Sequence, residues 1–94
     1  MTATITVQVR IEGRVQGVWY RGWTVDEANA RGLNGWVRNR RDGSVEAIFR
    51  GPEHAVRDMV QLCAKGPPAA HVTNVIDAPS ATELEDGFRQ LPTE

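Results

Sequence analysis

The chain has one cysteine, Cys63, two histidines, and one lysine among its eleven basic residues. A single thiol excludes an internal disulfide and leaves no cysteine cluster for a metal. Cys63 follows Val56, Met59 and Val60 at helical spacing, which makes it a buried structural thiol and not a nucleophile. No apolar run approaches the ~20 residues of a membrane span. The start Met1-Thr2-Ala3-Thr4 lacks a basic region followed by an apolar core, so neither membrane contact nor export is expected, and the cytoplasm is the expected location. Net charge is −1, which excludes bulk attraction to nucleic acid or anionic lipid. Ninety-four residues make one domain, 1–94, with room for one sheet and two covering helices.

What is present is a pattern of alternating periods. Residues 5–12 place apolar side chains at every odd position, the mark of a strand with one dry and one wet face. Residues 22–31 lose that alternation and gain helix formers. Val25, Ala28 and Gly32 fall near one stripe, and Gly32 serves as a left-handed stop. Leu33–Arg40 is extended again, Arg41-Asp42-Gly43 turns, and Val45–Arg50 returns with Val45, Ala47 and Phe49 on the buried parity. Gly51-Pro52-Glu53 opens a second helix, which Gly66-Pro67-Pro68 ends. A strand over His71–Ile76, a polar loop over Asp77–Asp86 and a short edge strand near Phe88 complete the chain. The order β-α-β-β-α-β predicts an α+β, ferredoxin-like fold. Two helices pack on one face of a four- to five-stranded antiparallel sheet.

Between the first strand and the first helix lies Gly13-Arg14-Val15-Gln16-Gly17-Val18-Trp19-Tyr20-Arg21-Gly22. Glycines at 13 and 17 admit backbone angles that residues with a Cβ avoid. Successive N–H groups in such a loop converge on an anion, and the helix that follows adds its unpaired N–H groups and positive dipole end. Arg21, where the helix opens, adds a fork suited to phosphate. Gly17 and Gly22 have the spacing of a Walker A loop, but Trp23-Thr24 stands where that motif needs Lys, which excludes a nucleoside triphosphatase.

These residues resemble the signature loop of the acylphosphatases. Gly35-Trp36-Val37-Arg38-Asn39, followed by Asp42-Gly43-Ser44-Val45-Glu46-Ala47, is similar to that family's second signature, and Gly66-Pro67 and Phe88 extend the likeness over nearly the whole chain. The departure is Trp19-Tyr20, where the family often carries phenylalanine at one or both positions. The resemblance implies the same ferredoxin-like fold. It also implies cofactor-free and metal-free hydrolysis of a small-molecule acyl phosphate to a carboxylate and inorganic phosphate, and a monomeric state.

The topology brings the two motifs together. In this fold the third strand lies between the first two, which are parallel and end at one sheet edge about 10 Å apart. A loop of seven or eight residues spans that gap and lets Asn39 face the phosphate nest. Arg21 and the backbone amides of Gln16, Gly17, Val18, Trp19, Tyr20 and Arg21 then hold the phosphoryl group, while Asn39 holds the attacking water. Gln16 and Val18 enter through their N–H groups and not their side chains. Neither Arg nor Asn titrates near neutrality, so no enzyme base is expected to titrate between about pH 5 and 8. His54 and His71 are read as surface or cap residues, Asp26 and Glu27 as a solvated helix face, Trp36 as sheet packing, and Arg38, Arg40 and Arg41 as solvated hairpin charges that can steer anions. Two other classes compete. A non-catalytic anion-binding module would not need a water-positioning carboxamide. An RNA-recognition module would need aromatics on the open sheet face, where Thr6, Gln8, Arg10, Glu46, Ile48 and Arg50 stand instead.

Overall fold

The computed structural model describes residues 3–94; the reading of the first two residues, Met1 and Thr2, lies outside them. Seven elements follow in order: β1 Thr4–Arg14, α1 Tyr20–Ala30, β2 Asn34–Asn39, β3 Val45–Pro52, α2 Glu53–Cys63, β4 His71–Pro79 and β5 Phe88–Gln90. The strands form one sheet in the order β4-β1-β3-β2-β5. The four long strands pair antiparallel, whereas β5 runs parallel to β2, so the sheet is mixed at that edge. The architecture is α+β and ferredoxin-like.

The period-two pattern of β1 becomes one buried row. Val7, Val9 and Ile11 lie inward, on the same sheet face as Val37 of β2 and Val45, Ala47 and Phe49 of β3. Helix α2 closes this face with Ala55, Val56, Met59 and Cys63. Helix α1 contributes Tyr20, Thr24 and Ala28, spaced by four, in place of the expected stripe through Val25. Thr24 tolerates burial because its hydroxyl donates to the Tyr20 carbonyl at 2.8 Å. Phe88 of β5 stacks on Phe49, centroids 5.4 Å apart, which seals the β2 edge of the core.

Some boundaries differ from expectation. Helix α1 opens at Tyr20, two residues early. Strand β4 continues through Asp77–Pro79, because Ala78 and Pro79 remain paired with Gln8 and Val7. Trp36 lies opposite Ile48 on the uncovered face, with the Arg38 guanidinium 4.6 Å above its ring. It therefore packs on the sheet, with an arginine over its ring.

Candidate active site

The site begins with a bulge. Pairing between β1 and β4 shifts register at Glu12/Gly13, where Gly13 has φ 119 and a Cβ would come 2.2 Å from the His71 carbonyl oxygen. Only glycine fits there, and the bulge turns the chain out of the sheet. Val15 is buried and pins the loop from below. Trp19 then adopts φ 67, ψ 21 immediately before α1. It is the one non-glycine residue with positive φ among the described residues, a strain of about 1–3 kcal/mol for a bulky side chain.

The opening of α1 is poorly stabilised for a helix end. No side chain caps it and no acid stands in its first turn, whereas α2 carries Glu53 there. Arg21 occupies the first turn instead, a cation at the positive end of the dipole. Among the described residues, the N–H groups of Gln16 to Arg21 donate no hydrogen bond. A strained, uncapped helix end with an opposing cation and free amides is a site disposed toward an anion.

The loop is fastened across β3 by a contact the residue pattern did not reveal. Gln16 Nε2 donates to the carbonyl oxygens of Arg40 at 2.7 Å and Ser44 at 2.8 Å. These carbonyls close the β2–β3 hairpin, where Arg40 N–H also donates to Ser44 O and Gly43 N–H to Arg40 O. The Gln16 side chain thus ties the first motif to the residue after Asn39. Asn39 sits opposite Val45, which also faces Ile11 from the other side, so one row crosses from β1 to β2. Asn39 shares the helix-covered face with Val37 and is buried. Its carbonyl accepts from Glu94 N–H at 3.0 Å. Its side-chain Oδ1 has no partner among the described residues, an expense for a buried carboxamide.

A cavity of about 250 Å³ opens along the loop, lined by Gly17, Trp19, Tyr20, Arg21 and Gly22 together with Gln90 at the end of β5. Gln16, Val18 and Asn39 do not line it; Asn39 approaches the loop through its neighbour Arg40. Sequence reasoning missed Gln90, because a three-residue edge strand does not announce which neighbour it joins. Its parallel pairing with β2, Gln90 beside Val37, is what carries it to this end of the sheet.

The arginines divide in two. Arg38 and Arg40 are not the solvated charges expected of a hairpin: both meet Glu46, at 2.8 and 3.3 Å, and Arg38 also meets Glu94 at 2.7 Å. Arg14, Arg21 and Arg41 have no carboxylate partner among the described residues. Asp42 is held well below the usual carboxylate range by the Ser44 hydroxyl and N–H and by Arg10. Below the loop, the Tyr20 hydroxyl donates to the Cys63 carbonyl at 2.6 Å. Burial pushes the Tyr20 phenol far above its ordinary value and the Cys63 thiol up to about 12. Both groups are therefore neutral and structural. His54 and His71 are exposed and line no part of the cavity. No group of three or more His, Cys, Asp or Glu able to hold a metal occurs among the described residues.

The acylphosphatase family model matches residues 7–90, which span every element that builds this site. The chain belongs to the acylphosphatase family. An acylphosphatase of Rhodospirillum rubrum is 56% identical over 88 residues, covering 94% of this chain and 97% of that protein. The structure of an acylphosphatase from Coxiella burnetii superposes with a TM-score of 0.90 at 31% identity, over 94% of this chain and 93% of the other. That of an acylphosphatase from Bacillus subtilis gives 0.87 at 35% identity, over 93% and 98%. The acylphosphatase fold is thus common to chains that have diverged at about two thirds of their positions.

Proposed function

We propose that the protein hydrolyses an acyl phosphate to a carboxylate and inorganic phosphate by direct in-line attack of water. The phosphoryl group sits in the nest of amides from Gln16 to Arg21, with the Arg21 guanidinium on its equatorial oxygens. The attacking water donates to the Asn39 carboxamide oxygen. Its oxygen bonds to phosphorus as the bond to the acyl oxygen breaks, the electron pair leaves with the carboxylate, and the water's proton passes to a phosphate oxygen of the substrate. Because a carboxylate is a good leaving group, no strong general acid is required.

The observation that carries this reading is the Gln16 tether, which holds the loop of free amides against the hairpin whose first residue beyond β2 is Arg40. The buried, unpartnered Asn39 Oδ1 supports the water-holding role, since a donor there would relieve its burial. The reading also takes the enzyme as a metal-independent cytoplasmic monomer. A lone buried thiol accords with a reducing compartment, and no described helix is long and apolar enough to cross a membrane.

Release of inorganic phosphate from benzoyl phosphate tests the proposal. Wild-type protein should turn over without added metal. Arg21→Lys keeps the charge but loses the fork, and Asn39→Ala loses the carboxamide; each should lower kcat/KM on the order of 10² or more. Full activity in either variant, with the far-UV circular dichroism unchanged, removes that residue from the mechanism. Phosphate binding without turnover would make the domain a binding module.

A further inference from the structure

Trp19 combines two features that loop closure does not require. Its side chain is 62% exposed, and its backbone is left-handed, a conformation glycine or asparagine adopts more readily. The indole is nevertheless held in a defined place. It lies across Gly22 in the first turn of α1, where an added Cβ would come 2.2 Å from Nε1 and 2.7 Å from Cδ1. The indole N–H has no partner among the described residues. One flank of the ring therefore rests on glycine, and Trp19 lines the cavity together with Arg21 and Gln90.

We infer that Trp19 is the element that recognises the acyl half of the substrate, and that it selects flat, aromatic acyl phosphates over small aliphatic ones. The inference rests on the proposed function. With the phosphoryl group held by the amides and Arg21, the acyl group projects outward along the same cavity, and the indole is the large apolar surface exposed there. A ring in the acyl position stacks offset or edge-on against the indole, which favours it by about 2- to 10-fold over a group without a π-face. Gly22 serves the same end, because its lack of a side chain lets the indole pack against the first turn of the helix.

The test is the ratio of kcat/KM for benzoyl phosphate to that for acetyl phosphate. The ratio cancels any change in the nest itself. In Trp19→Asn, which tolerates the left-handed backbone, the ratio should fall about 3- to 10-fold, with the change in KM. Trp19→Phe should restore most of it. Gly22→Ala, which leaves the indole in the chain but displaces it, should lower the ratio in the same direction. Hydrolysis of both substrates with a constant ratio across these variants overturns the role of Trp19 and leaves the proposed function standing. Failure of the wild-type protein to hydrolyse either substrate overturns both.

Discussion

At the scale of single residues, the site is assembled from choices that work against the stability of the free protein. Arg21 stands at the positive end of α1, where an acid or a neutral cap would do better by about 0.3–1 kcal/mol. Arg21→Gln should therefore raise the thermal midpoint by a few degrees in phosphate-free buffer, since ~1 kcal/mol corresponds to about 4–8 °C in a domain of this size. Inorganic phosphate should reverse the ranking. It raises the midpoint of the wild type by mass action on the folded state, and that upshift should be largely lost in the variant. Calorimetry with and without phosphate reads both effects, and a midpoint for Arg21→Gln below the wild type in phosphate-free buffer would count against it. Part of this scale was legible: glycines 13 and 17 both take the positive φ that their type permits. The Gln16 tether was not. A glutamine between a glycine and a buried valine carries no mark of which distant carbonyls it will meet, because Arg40 and Ser44 reach it only after β3 has been inserted between β1 and β2.

At the scale of elements, the loop stands on the junction of α1 with α2. Tyr20 opens α1, buries its ring against Trp23 at 5.3 Å, and donates its hydroxyl to the last carbonyl of α2. The thiol and the phenol are both kept neutral there, which fixes the sign of a pH effect. A folded-state value raised above the unfolded one contributes stability that is intact at lower pH and lost as pH rises. For Cys63 that window runs from its ordinary 9.0 to about 12, and the Tyr20 phenol acts in the same direction. Unfolding free energy should hold steady to about pH 9 and fall steeply above it. Cys63→Ala should lower stability by about 1–2 kcal/mol at pH 7 through the small cavity left, yet flatten the alkaline limb. Denaturant titrations between pH 7 and 11 show both, and parallel alkaline limbs in the two proteins would contradict this account. Periodicity revealed β1, β3 and α2 because each has one dry face, so the burial pattern is written in the order of the residues. It could not orient β5, nor extend β4 through Asp77–Pro79. Both are edge strands with largely exposed side chains, and their pairing is decided by backbone hydrogen bonds that leave no pattern in side-chain type.

At the scale of the whole molecule, the charge imbalance between the two halves of the chain becomes a spatial one. The first fifty residues carry eight basic groups against five acids, and the remainder three against seven. Strands β1 and β2 end together, so Arg14, Arg21 and Arg41, all without carboxylate partners among the described residues, gather at that end of the sheet. Strand β4 finishes and β5 begins at the opposite end, and the connection between them carries Glu83, Glu85 and Asp86. The molecule is 38 Å in its long dimension. A Debye length of about 8 Å at physiological salt separates the two ends electrostatically, whereas about 30 Å at 0.01 M does not. On the proposed function, this end should draw a doubly charged phosphoryl group, and kcat/KM should fall as ionic strength rises. Charge reversal at two residues outside the nest isolates the effect. Arg14→Glu with Arg41→Glu should lower kcat/KM by about 3- to 10-fold in dilute buffer, leave kcat within twofold, and converge on the wild type near 1 M salt, where the Debye length is ~3 Å. Steady-state kinetics across that salt range decide it. A deficit that persists at high salt would mean these arginines touch the substrate directly instead of shaping the field through which it arrives.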